Sequence, residues 1–359
     1  MIKTDLKSLD RESVVRFVED LHLPRYRADQ LLLRMYNKFA LDIEEITEYP
    51  KELRAILKKV AYIGTARLLA RQTSSDRTEK YLFALEDGQT VESVLIPEQK
   101  RLTLCISSQV GCAMGCLFCR TGSVGFVRNL KSYEIIEQVI AVNRIIRPAR
   151  VTNVVFMGMG EPLMNSDEVI EALRRMVDLL GISKRKITLS TAGIVPKLLL
   201  LPQNAPDVNL AISLNATSDE VRNRIMPVNR RYPLASLMDA CRRYPLKHAR
   251  KITFEYVMID RMNDSSVDAH RLAKLISGIR CKVNLIPLNP FPGCELKRPP
   301  DERILAFQEI LMKEKVRALI RESRGQDICA ACGQLMTGYK INPKRADIAF
   351  SSANPPGRT

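Results

Sequence analysis

The sequence predicts an α/β fold built on parallel strands, with a small helical domain ahead of it. From residue 101 onward, short apolar segments alternate with segments of helical spacing, and this alternation is typical of parallel strands joined by right-handed crossovers. Residues 1–63 instead keep helical spacing of their apolar residues throughout. A chain of 359 residues is long enough to bury the core of one large domain and a small one.

The first 70 residues are predicted to form a helical accessory domain. Apolar residues recur at helical spacing in LDRESVVRFVEDL, YRADQLLLRMYNK and KELRAILKKVAYI. Basic residues such as Arg54, Lys58 and Lys59 occupy the opposite faces. The domain is either a packing cap on the main domain or a nucleic-acid handle, since charge runs are usually solvated faces. Of the two, we expect an RNA-binding domain.

Residues 71–100 are predicted to form a β-hairpin extension. The segments ARLLARQT, KYLFALE and TVESVLIP are typical of strands, and Asp87–Gly88 is a hairpin turn signal between the second and the third. Ser74, Ser75 and Asp76 form a polar break after the first segment. We therefore expect the linker that follows the helical domain to lie within residues 64–78.

The core domain, predicted over residues 101–345, contains six strand segments and a late seventh. They are RLTLCIS, NVVFMGMGEP, KITLSTAG, NLAISLNA, KITFEYVMI, KVNLIPLNP and VRALIRES. Six core strands are too few for an eight-stranded barrel. Because active sites of parallel α/β folds lie at the carboxyl ends of the strands, the polar residues that follow these strands are candidate site residues. Residues 346–359, which end in SSANPPGRT, are predicted to be a disordered tail.

The charge balance favours a polyanionic partner. Lys and Arg number 56 against 40 Asp and Glu, which gives a formal net charge of +16. Nucleic acid is the usual partner of so basic a chain, although a basic enzyme without such a partner has the same balance. The chain has no Trp and only 6% aromatic residues, so extensive base stacking on exposed rings is not expected.

The cysteines and the N-terminal segment indicate a reducing compartment. Nine Cys, an odd number and clustered, do not form the framework of a secreted disulfide protein. MIKTDLKSLDRESVV lacks the apolar region of a signal peptide, and no run approaches the ~18 apolar residues of a membrane span. We expect a cytoplasmic protein with no membrane segment.

The stretch GCAMGCLFCRTGSVGFVR contains three closely spaced cysteines and is the clearest candidate for a functional site. Cys112, Cys116 and Cys119 have the spacing C-x3-C-x2-C, and thiolates so close in sequence can converge on one soft metal centre. Structural zinc sites and most iron–sulfur clusters use four protein ligands, whereas this run supplies three. If the centre is a four-iron cluster, one iron keeps an open position. The spacing alone leaves a zinc knuckle or a ferredoxin fragment as alternatives.

Several motifs in one order resemble a known family. Besides the three cysteines with Phe118 before the last, they are GMGEP at 158–162, NPFPG at 289–293 and ACGQL at 331–335. Together, over roughly residues 80–340, they resemble the RlmN/Cfr family of radical S-adenosylmethionine (SAM) RNA methyltransferases, with NPFPG closer to the RlmN branch. The resemblance implies a partial (β/α)6 radical SAM barrel whose three cysteines hold a [4Fe-4S] cluster that binds SAM.

The resemblance also implies the reaction. Carbon 2 of adenine is an electron-poor sp2 centre, so ordinary displacement from SAM cannot methylate it. The family uses two SAM per turnover: one methylates a cysteine, and the second gives a 5′-deoxyadenosyl radical that activates the methylated cysteine. The implied substrates are 23S rRNA, in the peptidyl-transferase region, and tRNA next to the anticodon. The implied electron source is a low-potential donor such as flavodoxin or ferredoxin. We expect a monomer, because no large apolar face is left over.

The family pattern assigns roles to individual residues. Cys332 matches the cysteine that carries the methyl group, Cys105 the resolving thiol that forms a transient disulfide with it, and Glu92 the proton acceptor. Cys329 departs from the pattern and forms a C-x2-C with Cys332. We interpret Cys329 as incidental, although its position leaves the identity of the disulfide partner open. The residues that match the SAM contacts are Gly160, Glu161, Ser190, Ser213, Leu214, Asn215 and Asn289.

Three alternatives to this function remain at the level of sequence. The nearest is a Cfr-type methyltransferase that acts on carbon 8 of adenine. NPFPG is the motif that best distinguishes the RlmN branch from the Cfr type. A non-catalytic RNA-binding protein whose three cysteines hold zinc belongs to another class. A third is a different radical SAM activity, such as thiomethylation or glycyl-radical activation, which has no use for Cys332.

Overall fold

The computed structural model describes residues 3–336. The tail predicted for residues 346–359 and the last part of the predicted core lie outside the described residues. Within the described range, the helices are all too short or too polar to cross a bilayer.

The N-terminal part is helical, as the apolar spacing predicts. Two short strands, one before the helices and one after them, pair in parallel and so join the two ends of this part of the chain. The elements are β1 (Thr4–Asp5), α1 (Arg11–Asp20), α2 (Tyr26–Leu32), α3 (Lys51–Val60) and β2 (Ala61–Tyr62). Asp10 caps α1 by accepting a hydrogen bond from Ser13 N at 2.7 Å, and a π-helical turn extends α2 over Leu33–Asn37.

A four-stranded antiparallel meander follows. Its strands are β3 (Arg67–Thr73), β4 (Glu79–Ala84), β5 (Thr90–Glu98) and β6 (Arg101–Cys105). The predicted turn at Asp87–Gly88 joins β4 to β5, with Leu85 N donating to Gln89 O at 2.8 Å. Since β5 pairs with β6, the first core strand, the meander is continuous with the core sheet.

The predicted linker position is wrong in one respect. The polar residues Ser74, Ser75 and Asp76 form the turn between β3 and β4, closed by a 2.8 Å hydrogen bond from Ser74 N to Thr78 O. Polar runs are typical of hairpin turns as well as of linkers, so the sequence does not separate the two. The strand β3 also begins at Arg67, ahead of the predicted boundary at residue 70.

The remaining chain alternates strands and helices as predicted. Its elements are β7 (Gln109–Gly111), α4 (Arg120–Val124), β8 (Phe126–Asn129), α5 (Ser132–Ile145), β9 (Asn153–Phe156), α6 (Ser166–Asp178), β10 (Ile187–Thr191), α7 (Val195–Asn204), β11 (Asn209–Ser213), α8 (Asp219–Ile225), α9 (Leu234–Arg243), β12 (Ile252–Met258), α10 (Ser266–Leu275), β13 (Cys281–Pro287), α11 (Asp301–Lys313) and β14 (Ala318–Ile320). All seven predicted strand segments of the core are present.

These strands form one ten-stranded sheet in the order β14-β13-β12-β11-β10-β9-β6-β5-β4-β3. Strands β6 and β9 to β14 are mutually parallel. Val94 of β5 and Ile320 of β14 stand far apart in this order, yet both line one internal cavity, so the sheet curls. No pairing within residues 3–336 joins β14 back to the meander. The result is the open, partial barrel that the family resemblance implies.

A buried polar network fastens the N-terminal segment to the barrel. The ammonium group of Lys7 pairs with the carboxylate of Glu137 on α5, and both side chains are buried. The guanidinium of Arg175 on α6 donates to Lys7 O at 2.7 Å, and Asp5 accepts from Gly64 N at 2.7 Å. Burial raises the pKa of Glu137, and the positive charge of Lys7 opposes that rise.

Replacing Lys7 with Met is expected to lower the free energy of unfolding by about 3 to 5 kcal/mol, since Glu137 is left as an unpaired buried carboxylate. The exposed pair of Arg11 and Asp29, with side chains 61% and 64% accessible, provides the control. Arg11→Met should cost less than about 1 kcal/mol. Denaturant unfolding of both variants measures the difference, and equal losses would contradict the assignment.

Candidate active site

Two cavities meet at the carboxyl ends of the parallel strands. The first, of about 160 Å³, is lined by the three motif cysteines and by residues at the ends of β9, β10, β11 and β13. The second, of about 410 Å³, occupies the barrel interior below it. Met157, Glu255, Ile286, Asn289 and Cys332 line both cavities.

The cysteine loop is held by the small antiparallel pair β7–β8. Cys112 follows β7 and donates its backbone N–H to Gly125 O at 2.8 Å. Gly111 has φ +75°, and a Cβ there would lie 2.0 Å from Gly125 O, so only glycine fits this crossing. Cys119 precedes the first turn of α4. The loop therefore has a fixed shape that directs the three cysteines toward the first cavity.

The donor set fits an iron–sulfur cluster better than a single zinc ion. The cysteine loop supplies three thiols, one fewer than the four ligands that a structural zinc site requires. In a cluster each thiolate binds a different iron, so the thiols need not converge on one point. Burial raises the pKa of the Cys112 thiol to about 12 and also raises the pKa of Cys116 and Cys119. Binding of iron to these thiols therefore releases protons.

The segment that carries Cys332 is fastened between the start of α4 and the loop that follows β13. Arg120 N donates to Gly333 O at 2.7 Å, and the hydroxyl of Thr121 donates to Leu335 O at 2.7 Å. On the other side, the amide of Gln334 donates to Pro290 O at 2.7 Å. Gly333 has φ +83°, and a Cβ there would lie 2.8 Å from Phe118 O. ACGQL thus packs on the cysteine loop, and Cys332 faces both cavities.

The turn between β3 and β4 supports the same C-terminal segment. The carboxylate of Asp327 accepts hydrogen bonds from the Ser74 hydroxyl at 2.6 Å and from Ser75 N at 3.1 Å. Asp76 in turn accepts from Gly325 N at 2.9 Å. The meander predicted as an extension therefore holds the loop that leads to Cys332.

Cys105 shares the barrel cavity with Cys332, whereas Cys329 lines neither cavity. Burial, and then the neighbouring Cys332, raise the pKa of the Cys105 thiol. Solvent reaches Cys332 through the cavities, but the surrounding protein still raises the pKa of its thiol to about 11, with the charge of Glu255 as the next cause. The arrangement favours Cys105 over Cys329 as the disulfide partner.

Glu92 is buried near this segment without lining either cavity. Its carboxylate pairs with the ammonium group of Lys80 at 3.2 Å and accepts from Met336 N at 2.8 Å. Burial raises the pKa of Glu92, and the charge of Lys80 opposes the rise. Glu92 therefore contacts Met336, the residue that follows ACGQL. Its role as proton acceptor stays a prediction.

Six of the seven predicted SAM-contact residues line the first cavity: Gly160, Glu161, Ser190, Ser213, Asn215 and Asn289. Leu214 does not, because its side chain is fully buried in the core. The carboxylate of Glu161 accepts from Leu163 N, the Thr191 hydroxyl and Ala192 N at 2.6 to 3.0 Å. A carboxylate has about four acceptor sites, so Glu161 can still accept one hydrogen bond from a ligand.

The two predicted asparagines already have protein partners. The amide of Asn289 donates to Cys332 O at 3.3 Å and accepts from Gln326 at 3.0 Å, so it anchors the Cys332 segment. Asn215, at φ +60°, accepts from Val257 N at 2.8 Å. A direct contact of either side chain with a ligand would require it to share or exchange these hydrogen bonds.

Glu255 is the site residue that sequence reasoning missed. It lies on β12, 6% exposed, and its carboxylate accepts from the amide of Asn284 at 2.9 Å. Burial raises the pKa of Glu255 to about 7, although Asn284, Arg321 and Lys282 oppose the rise. The signal was available in the sequence: KITFEYVMI places one charge inside an otherwise apolar strand, where it has to face a polar interior.

Replacing Glu255 with Gln is expected to stabilise the protein increasingly as the pH rises. The pKa of the folded state, about 7 against an ordinary 4.5, lies above that of the unfolded chain. The stability that protonated Glu255 contributes is therefore present at low pH and lost as the pH rises through about 7, by up to about 3 kcal/mol. The stability of Glu255→Gln relative to the parent should therefore increase between about pH 5 and pH 8.

Denaturant unfolding at the two pH values measures this growth. Glu322→Gln serves as the control, because Glu322 is exposed at the rim of the same cavity. A difference between Glu255→Gln and the parent that stays constant with pH would contradict the raised pKa.

Comparisons with known proteins agree with this geometry. The Radical SAM superfamily model matches residues 106–273, and the model of the ribosomal RNA large subunit methyltransferase N-terminal domain matches residues 4–63. A protein of Pelobacter propionicus named dual-specificity RNA methyltransferase RlmN is 50% identical over 93% of this chain and 96% of its own length. A Geobacter sulfurreducens protein of the same name is 51% identical over 92% and 91%. The crystal structure of a radical SAM methyltransferase from Sphaerobacter thermophilus superposes with a TM-score of 0.89 at 42% identity, covering 92% of this chain and 99% of that one.

Proposed function

Because the chain belongs to the RlmN family of radical SAM RNA methyltransferases, we propose that it methylates carbon 2 of adenosine in two kinds of RNA. These are 23S rRNA, in the peptidyl-transferase region, and tRNA, next to the anticodon. The observation that carries the proposal is the position of Cys332, where the cavity lined by the cysteine motif meets the barrel cavity that contains Cys105.

The cofactor sites follow from the residues that line the first cavity. Cys112, Cys116 and Cys119 would hold a [4Fe-4S] cluster. SAM would lie beside Gly160, Ser190 and Ser213, with Glu161 accepting from its amino group. Glycine is needed at position 160 for packing, because a Cβ there would lie 2.6 Å from the side chain of Gln109. When bound, the cluster and SAM supply the methyl group and the radical chemistry, with two SAM per turnover.

The chain's own residues carry the methyl group and the protons. Cys332 takes the methyl group on its sulfur and presents it to the adenine ring. Glu92 accepts the ring proton, which requires its carboxylate to reach the barrel cavity, since Glu92 lines neither cavity. Cys105 attacks the sulfur of Cys332, with which it shares a cavity, and the disulfide bond replaces the bond between that sulfur and the product carbon. The proton of Cys105 goes to the product carbon, one electron leaves, and the reductant restores the two thiols before the next turnover. Ordering these groups before the substrate binds is what lets the site act on an unreactive carbon.

The proposed partners, RNA and an electron donor, rest on the net charge of the chain and on its family. The net charge of +16 and the N-terminal domain support RNA binding by the helical segment predicted over residues 1–70. A low-potential donor such as flavodoxin or ferredoxin supplies electrons. We propose a cytoplasmic monomer.

Anaerobic turnover with SAM and a reductant tests the function, with protein-free 23S rRNA and tRNA in separate reactions. Mass spectrometry of the digested nucleosides should find 2-methyladenosine in both RNAs. A product methylated at carbon 8 would move the protein to the Cfr type. No methylated adenosine from protein with an intact cluster would refute the assignment.

A further inference from the structure

Arg222, on helix α8, is a fully buried cation that touches only neutral groups. Its Nε donates to Leu214 O at 2.9 Å and its Nη1 to the Asn229 side-chain oxygen at 2.8 Å. Its Nη2 donates to Ala192 O at 2.8 Å and to Ser213 O at 3.1 Å. No carboxylate within residues 3–336 lies at ion-pair distance from this guanidinium, which is 0% exposed. Burying a charge without a counter-charge is costly, so the fold has to compensate Arg222 in another way.

The neighbouring segment that becomes anionic, once its thiols bind a metal centre, is the cysteine loop. Helix α8 packs on that loop, with Leu117 N donating to Ile225 O at 3.0 Å. Ile225 and Met226, at the end of α8, pack with Cys116 of the loop in one apolar cluster. Ala192 and Ser213, whose carbonyl oxygens accept from Arg222, line the same cavity as Cys116. Asp219 reaches Arg222 only through Asn229, whose amide donates to its carboxylate at 2.8 Å. Burial lowers the pKa of Arg222 to about 10, so the guanidinium remains charged at neutral pH.

We infer that Arg222 is a positioning residue that supplies the positive counter-charge for the iron–sulfur centre and so raises the reduction potential of that centre. This inference rests on the proposed function, because it needs a cluster on Cys112, Cys116 and Cys119. A reduced cluster with three thiolate ligands carries more negative charge than the oxidised form. A fixed cation in a low-dielectric interior stabilises the reduced form more than the oxidised one.

Arg222 also shapes the backbone where SAM is proposed to bind. Its three carbonyl partners belong to residues that directly follow or end β10 and β11. A variant could therefore lose function through distorted backbone alone. The reduction potential separates the two roles, because it responds to charge.

A redox titration of the anaerobically purified protein, followed by electron paramagnetic resonance, tests the inference. Arg222→Gln and Arg222→Met remove the charge, and Arg222→Lys keeps it. Arg224→Gln removes an exposed charge from the same helix as a matched control. We expect both neutral variants to shift the midpoint potential to more negative values, while the Lys variant and the control stay near the parent.

Each possible result of the titration either supports or contradicts the role of Arg222 as a counter-charge. An unchanged potential in neutral variants that retain the cluster would overturn the inference. If the neutral variants lose the cluster and the Lys variant keeps it, the charge is needed to hold the centre, which supports the inference. Loss of the cluster in all three variants assigns Arg222 to shaping the backbone alone and contradicts the inference. A parent protein that holds no iron–sulfur centre would instead refute the proposed function.

Discussion

Replacing Cys332 with Ala is expected to abolish the formation of 2-methyladenosine, by at least about 1,000-fold. The thiol of Cys332 is the proposed carrier of the methyl group. Cys332 lines both the first cavity, which the motif cysteines also line, and the second cavity in the barrel interior. Without the sulfur, no group in that position can accept a methyl group and be activated for addition to the adenine ring. Quantitative mass spectrometry of digested RNA after anaerobic turnover measures the loss.

Cys329→Ser is the matched control for this variant. Cys329 is three residues away and lines neither cavity, and its carbonyl oxygen, rather than its thiol, accepts from Lys80 at 3.3 Å. The control should retain most of the activity of the parent. Full turnover by Cys332→Ala with an intact cluster would point to another radical SAM reaction, in which this cysteine has no role.

Replacing Cys116 with Ala is expected to remove the iron–sulfur cluster and, with it, all turnover. The motif supplies three thiolates to four irons, so no protein ligand is spare. The anaerobically purified parent should be brown with visible absorbance, whereas the variant should be colourless and low in iron.

Cys241→Ala controls for the loss of a buried cysteine as such. Cys241 is buried in α9, lines neither cavity and should leave the cluster intact. Iron analysis and visible spectra compare the two variants. A colourless parent that binds zinc and cannot be reconstituted with iron and sulfide would support the zinc-containing RNA-binding alternative instead.

The sequence was sufficient for the order of elements because strands and helices have different hydrophobic periods. Each core strand, from RLTLCIS to VRALIRES, appears in the sheet, in an order that follows the chain. The turn at Ser74–Asp76 escaped prediction because polar residues mark turns and linkers alike. Its contacts with Asp327 and Gly325 join segments about 250 positions apart, and no local pattern encodes such contacts.

The site was predicted unevenly for similar reasons. Motif residues such as Cys332 and Glu161 were found because their spacing and the family resemblance single them out. No sequence pattern indicates that Asn289 donates to the carbonyl oxygen of Cys332 or that Glu92 is paired with Lys80. No local pattern singles out Arg222, since its burial depends on the packing of α8 against the cysteine loop.

The most direct test of the account is a pulse–chase experiment on the methyl group. The protein with its cluster is incubated anaerobically with methyl-labelled SAM in the absence of RNA, and the peptide containing Cys332 is analysed by mass spectrometry. RNA, a reductant and unlabelled SAM are then added. The account predicts that label appears first on Cys332 and then in 2-methyladenosine. Labelled adenosine formed in a single step from labelled SAM, with Cys332 never labelled, would contradict it.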